Sequence, residues 1–305
     1  MQVKKNQHYV WKEYLKSWTE NEKIPALIKK SKKIAQPNPN GVALQGYFYA
    51  LEEFTQEEEI ILKELVNLWS KESTLKINLE FYETFTSYSK LKRLTKGIDL
   101  NDELKEKLNL LRTNTMEDSH LIFENFGKKI INIRKFEDLN FLDEEMELFF
   151  TMIYISFQYL RTKNMQLKIK VAIDKYEYLS PKFLNFLPFL YATGIADSLT
   201  YEKQTKFIFL ENTTEIDFIT SDQPLINNKI EELNDNGTIA QMEIYYPITP
   251  RIGLIIHYQE QNEKYRKISL NSTEVNKYNK TIFNHSNEFI FASSTEQLIE
   301  YKNCL

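Results

Sequence analysis

The spacing of apolar positions changes character twice along this chain and divides it into three stretches. Near the start, Val10, Tyr14, Leu15 and Trp18 fall on one face of a helix over residues 8 to 19. The runs KIPALIKK and KKIAQ then predict two short strands paired as a hairpin, and Pro-Asn-Pro-Asn-Gly at 37 to 41 predicts a turn. From 55 to 165 the apolar residues recur every three or four positions, which predicts helices. Thr55 and Glu58 form a capping box ahead of IILKELVNLW. Further helices are expected over 75 to 93, 101 to 112, 115 to 134 and 142 to 163, the last apolar enough to run through the core. Beyond residue 204 the pattern turns to β-branched and aromatic runs: KFIFLE, DFITS, PLINN, MEIYYPIT and RIGLIIHYQ. A helix over 273 to 285, the strand EFIFAS and a last short helix close the chain.

These elements predict an α+β fold in which the N-terminal hairpin and the C-terminal strands share one antiparallel or mixed sheet, with a large helical block inserted between them. The expected organisation is a single domain over 1–305, comprising a hairpin region (1–54), the helical block (55–203) and a strand-rich region (204–305). No flexible Gly/Ser linker or repeat marks a sharper boundary.

Composition narrows the picture. Hydrophobic residues make up 42% and charged residues 27%, which is ordinary for a folded protein and excludes disordered and collagen-like classes. Seven glycines and eight prolines leave few turn signals, so long helices with short connections are expected. A formal charge of −4 argues against a chain-wide nucleic-acid footprint, although acidic surface elsewhere can hide a local basic groove. The lone cysteine, Cys304, excludes an intrachain disulfide and a cysteine metal cluster. No signal-like apolar run opens the chain, and Leu148 to Leu160 is too short to span a bilayer, so a cytoplasmic protein without a membrane partner is expected. P-loop, dinucleotide glycine, HEXXH and Gly-x-Ser-x-Gly motifs are absent, which disfavours the familiar NTPases, NAD enzymes, zincins and α/β-hydrolases.

A set of short landmarks is more specific in its order than in any one member. QHYV followed by YLKSW, QYLRT at the end of the apolar stretch, ITSDQP, YPITPR and a helix with Asn279 before EFIFAS together resemble bacterial domain-of-unknown-function family 4238. The resemblance extends from residue 7 to about 293. Trp11-Lys12 stands where that family usually reads Pro-Gln, RTK replaces Arg-Thr-Pro, and SDQP replaces Ser-Asp-Asn-Pro. His8, Arg161 and Asp222 remain in place. The resemblance implies a bacterial protein from defence or mobile-element neighbourhoods and carries no established activity with it.

Several residues have chemistry to offer. His8 can exchange protons near neutral pH or bind a metal, or simply hydrogen-bond within the N-terminal fold. In MEDSHLIFENF, which also contains Asp118, the residues Glu117, His120 and Glu124 share one helical side and can ligate a divalent ion or form a solvated face. Gln158, Arg161 and Thr162 end the most apolar helix, where an arginine must pair internally or bind an anion. Ser221 and Asp222 follow an apolar strand, the place for a catalytic carboxylate or an Asx turn. Arg251 can support Asp222 or contact an anion; His257 ends the same strand, and Asn279 can bond buried backbone.

Two functions compete on these residues. In the first, a phosphodiester hydrolase or nuclease-like effector in phage defence acts on nucleic acid or nucleotide. His8, Arg161 and Asp222 are then catalytic, Glu117, His120 and Asp222 hold a divalent metal ion, and Gln158, Thr162, Ser221, Arg251 and Asn279 bind substrate. In the second, the same polar set senses an anion or ties the helices to the sheet in a non-enzymatic component with a protein partner in a defence operon. A third reading ranks last: an early His-Tyr pair with a distant acidic residue is similar to some ADP-ribosyltransferases.

Overall fold

The computed structural model describes residues 2–232, 241–258 and 263–305. Strand β1 (Asn6–His8) leads into a short helix α1 (Lys12–Leu15) and a 3-10 turn (Lys16–Trp18), so the helix expected over 8 to 19 starts only at Lys12, while Val10, Tyr14, Leu15 and Trp18 are all buried. The hairpin follows as β2 (Ala26–Ile28) and β3 (Lys33–Ala35), paired antiparallel. In the Pro-rich turn the Asn38 side chain accepts from the Asn40 N–H at 2.9 Å. Strand β4 (Leu44–Gly46) then returns to pair with β1.

Helices fill the next stretch: α2 (Gln56–Trp69), α3 (Glu72–Leu94), α4 (Asp102–Phe126), α5 (Lys128–Ile131), α6 (Glu145–Leu160), α7 (Lys163–Ile173) and α8 (Leu187–Asp197). The capping box is formed, with Glu58 N–H donating to Thr55 Oγ1 at 3.1 Å and Thr55 N–H to Glu58 Oε2 at 2.8 Å. The two helices expected over 101 to 112 and 115 to 134 are instead one, α4, which ends before Gly127. Nothing between them breaks the helix: Thr113 and Thr115 turn their hydroxyls back onto the carbonyls of Asn109 and Leu111 four residues earlier, at 2.8 and 2.6 Å. The apolar helix α6 does run through the core, buried on all sides and packed against α8.

The remaining elements are β5 (Lys206–Asn212), β6 (Thr220–Ser221), β7 (Ile226–Asn227), β8 (Glu243–Thr249), β9 (Ile252–His257), β10 (Tyr265–Leu270), α9 (Ser272–His285), β11 (Phe289–Phe291) and α10 (Thr295–Asn303). The fold is α+β, but the expected single sheet is divided. The N-terminal hairpin joins two C-terminal strands in the order β3-β2-β11-β6, whereas β10-β5-β9-β8-β7 form a separate mixed sheet from C-terminal strands alone. Strands β8 and β9 are buried on both faces, so each face needs its own cover. Their alternation serves two cores. Ile244, Tyr246, Ile248, Leu254 and Ile256 face the core shared with the helical block, while Tyr245 and Ile255 face a second core with α9, α10 and the smaller sheet. Among the described residues, no helix is long and apolar enough to cross a membrane.

Candidate functional site

The landmark segment Gln7-His8-Tyr9 is the hub of a buried polar network. Arg161 follows the last residue of α6, where its guanidinium donates to the His8 carbonyl at 2.8 Å, the Tyr9 carbonyl at 3.3 Å and Glu124 Oε1 at 2.9 Å. Gln158 donates to the same Tyr9 carbonyl at 3.2 Å, and the guanidinium lies 5.5 Å from the centre of the Phe157 ring. On its other side, the Tyr9 hydroxyl donates to Glu288 Oε2 at 3.1 Å, and Lys163 pairs with that carboxylate at 2.9 Å. The Asn287 and Glu288 N–H groups donate to the two oxygens of Asp222 at 2.9 and 2.6 Å. His8, Arg161 and Asp222 are thus connected through Tyr9 and Glu288, from helices to the smaller sheet. Arg161 is 1% exposed and Asp222 2%, and both are hydrogen-bonded within the chain. Of the two roles open to Arg161, internal pairing is the one observed.

Around this network several groups are displaced in protonation. Burial pushes the half-buried Glu117 carboxyl up to about 7, and the neighbouring Glu124 charge adds to the rise against Arg161. Burial also pushes Asp222 up to about 6, despite its backbone donors. His8 moves the other way, lowered to about 4 by burial and then by the charges of Arg161 and Lys12. His120 is fully buried edge-on to Tyr49, with ring centres 3.9 Å apart, and burial holds it neutral. Among the described residues neither of its ring nitrogens has a hydrogen-bond partner.

The helical spacing does put Glu117, His120 and Glu124 on α4, yet these do not make a metal centre with Asp222. Among the described residues no three His, Cys, Asp or Glu side chains gather as a metal ion requires. The reason is packing: His120 is enclosed by Tyr49, Phe157 and Phe189, Glu124 is spent on Arg161, and Asp222 on backbone N–H groups.

These shifts have opposite signs for stability. A carboxyl raised in the folded state makes its full contribution below its ordinary value, 4.5 for Glu117 and 3.8 for Asp222, and loses it as pH rises through about 7 and about 6. The lowered His8 contributes fully above 6.5 and loses that contribution as pH falls through about 4. Between pH 4.5 and 6 the His8 trend therefore opposes the other two. Urea unfolding across this window is expected to show the steepest loss of stability with rising pH in His8→Gln, an intermediate loss in the native chain, and the flattest profile in Glu117→Gln. The same slope in all three proteins would contradict the assignment.

The other candidates are bonded or buried within the chain. Thr162 caps α7 through the Met165 N–H at 3.4 Å and donates to the Gln223 side chain. The Ser221 hydroxyl exchanges bonds with the Gln223 backbone at 3.0 and 3.1 Å. Asn279 accepts from the Ile219 N–H at 2.9 Å and donates to the Asp217 carbonyl at 2.8 Å, bonding buried backbone. Arg251 pairs with Asp217 at 3.0 Å and not with Asp222, because the Phe218 N–H bonds the Pro250 carbonyl at 2.9 Å and brings residue 217 alongside. His257, at the end of β9, is buried.

Sequence reasoning missed a cavity of about 250 Å³ between α6, the end of α8 and the larger sheet. Ile155, Leu199 and Ile244 form buried walls, Ser156 adds a buried hydroxyl without a hydrogen-bond partner among the described residues, and Lys203 stands exposed at the rim. Beside it α8 continues into a π-helical turn, Ser198–Glu202, in which the Lys203 N–H reaches back to the Ser198 carbonyl at 2.8 Å. No local signal marked these residues, since apolar walls read as core and Lys203 as surface.

A family model described as a protein of unknown function, DUF4238, matches residues 6–296. No curated protein and no solved structure gives a significant match. The matched span covers nearly the whole chain and every landmark from Gln7 to Phe291, so the protein belongs to family DUF4238.

Proposed function

We propose that this chain is a cytoplasmic, non-catalytic binding component of a bacterial defence system, and that Arg161 and Asp222 hold its architecture together. The observation carrying this reading is the state of Arg161: its guanidinium is sealed from solvent and donates to the His8 and Tyr9 carbonyls and to Glu124. An arginine that stabilises charge on a transferring phosphoryl group must reach that group. Asp222 offers a divalent ion little, because its oxygens already accept backbone N–H groups. A binding role needs a ligand site elsewhere, and the cavity beside Ser156 meets that need.

One observation favours the second reading, a phosphodiester hydrolase or nuclease-like effector. The Glu117 carboxyl is raised to about 7, and its Oε2 has no hydrogen-bond partner among the described residues, which suits a general acid–base. The two readings separate in an assay of the purified chain on single- and double-stranded nucleic acid and on an activated phosphodiester, with and without Mg²⁺ or Mn²⁺. The native chain is expected to show no turnover above buffer. Turnover that disappears in folded His8→Ala, Glu117→Gln or Asp222→Ala would overturn the binding reading.

A further inference from the structure

We infer that the cavity between α6, the π-helical turn and the larger sheet binds a small amphipathic carboxylate, with its apolar body inside and its head at Lys203. This deepens the binding reading and rests on it. The size sets the body. A dry cavity of ~150 Å³ admits benzene, so the 250 Å³ here scales to an apolar body of roughly ten carbons. The lining sets the chemistry. Ile155, Leu199 and Ile244 are buried and Ile195 and Met242 partly so, a surface that gains by excluding water. A phosphorylated sugar or a free nucleotide would leave many polar groups unpaired against it.

Polar atoms make up little of the lining. The Ser156 hydroxyl lies on a buried wall, on a residue 3% exposed, with no hydrogen-bond partner among the described residues. A buried hydroxyl in that state costs stability, and a water held in the cavity beside the apolar body relieves the cost. At the rim, Lys203 Nζ stands 5.1 Å from the centre of the Tyr258 ring. Among the described residues no carboxylate lies within ion-pair distance of Lys203, whereas the neighbouring Glu202 is committed to Lys71 at 2.6 Å. An ammonium on a flexible stem beside an aromatic ring, above an apolar hollow, suits one anionic head on an apolar body. The π-helical turn explains the position of that lysine. One extra residue in the turn carries the chain across the rim, and the Thr205 hydroxyl anchors it by donating to the Leu199 carbonyl at 2.5 Å.

The test is calorimetric titration of the full chain with decanoate, beside 1-decanol as an uncharged control, repeated on Lys203→Ala and Ser156→Leu. Decanoate is expected to bind saturably. Lys203→Ala, an exposed site where folding is not at stake, is expected to weaken decanoate roughly fivefold, the contribution of one exposed ion pair, and to leave decanol unchanged. Ser156→Leu fills the cavity and is expected to abolish binding of both, with circular dichroism checking the fold. Absence of saturable binding up to the solubility limit overturns the ligand class, as does binding that neither variant alters. These failures are distinct from failure of the binding reading itself, which phosphodiester turnover lost in folded His8→Ala or Asp222→Ala would bring about even in a chain that takes up decanoate.

Discussion

Arg161→Ala is expected to destabilise the chain by ~3–5 kcal/mol, the cost of leaving a buried partner charge uncompensated. The substitution removes the donors to the His8 and Tyr9 carbonyls and strands Glu124, whose carboxyl burial already pushes up and whose main relief is the Arg161 charge. Arg161→Lys is expected to recover little. An ammonium cannot present the guanidinium fork that reaches two carbonyls and a carboxylate at once. Arg161→Met combined with Glu124→Leu should regain much of the loss, because no charge is then left without a partner. Urea unfolding followed by fluorescence and circular dichroism reads all four proteins. A cost below about 1 kcal/mol for Arg161→Ala would mean that the pair is solvated and its architectural role mistaken.

Gly127→Ala should produce the other large effect, and its cause is steric. A Cβ at Gly127 would lie 2.5 Å from two ring atoms of Tyr154 and 2.6 Å from a third, well inside van der Waals contact. The ring has little freedom to retreat. Tyr154 is buried on α6, its hydroxyl is bonded to that of Tyr246 at 2.9 Å, and Trp11 packs edge-on against it. Adding one methyl group should therefore cost near the upper end of the ~1–3 kcal/mol typical of overpacking. The same contact governs how closely the end of α4 approaches α6, and thereby where Glu124 meets Arg161. Gly46→Ala is the control. Nothing lies within 4 Å of its added Cβ, and a change within about 0.5 kcal/mol is expected. Equal unfolding midpoints for the two alanine variants would refute the steric account.

What could be read from the chain alone had local causes. The Thr55–Glu58 box depends on atoms three residues apart, and it forms as read. The core position of α6 follows from apolar residues on all its faces, and the strand character of β8 and β9 from β-branched and aromatic runs. Arg161 was legible as a residue that must be paired or anion-bound, because burying a lone cation is prohibitively costly whatever the fold. Asn279 was equally legible as a group able to bond backbone. Which group answers each need was not legible. Glu124 lies 37 residues before Arg161, the Tyr9 carbonyl 152 before it, and Asp222 is met by N–H groups 65 and 66 residues further on.

The amino-acid order by itself determined the α+β character, the helical block, the membership in family DUF4238 and the short list of polar residues with something to satisfy. Each of these follows from spacing, local hydrogen bonding or the ordered landmarks. Tertiary structure alone decided that the described strands divide among three sheets, that His120 is packed among aromatic rings and not gathered with Asp222 on a metal, and that Ser156 and Lys203 share one cavity. The physical reason is that charge pairing, enclosure and empty volume are properties of surfaces brought together across long separations, and the spacing of residues along one segment carries no record of what that segment will meet.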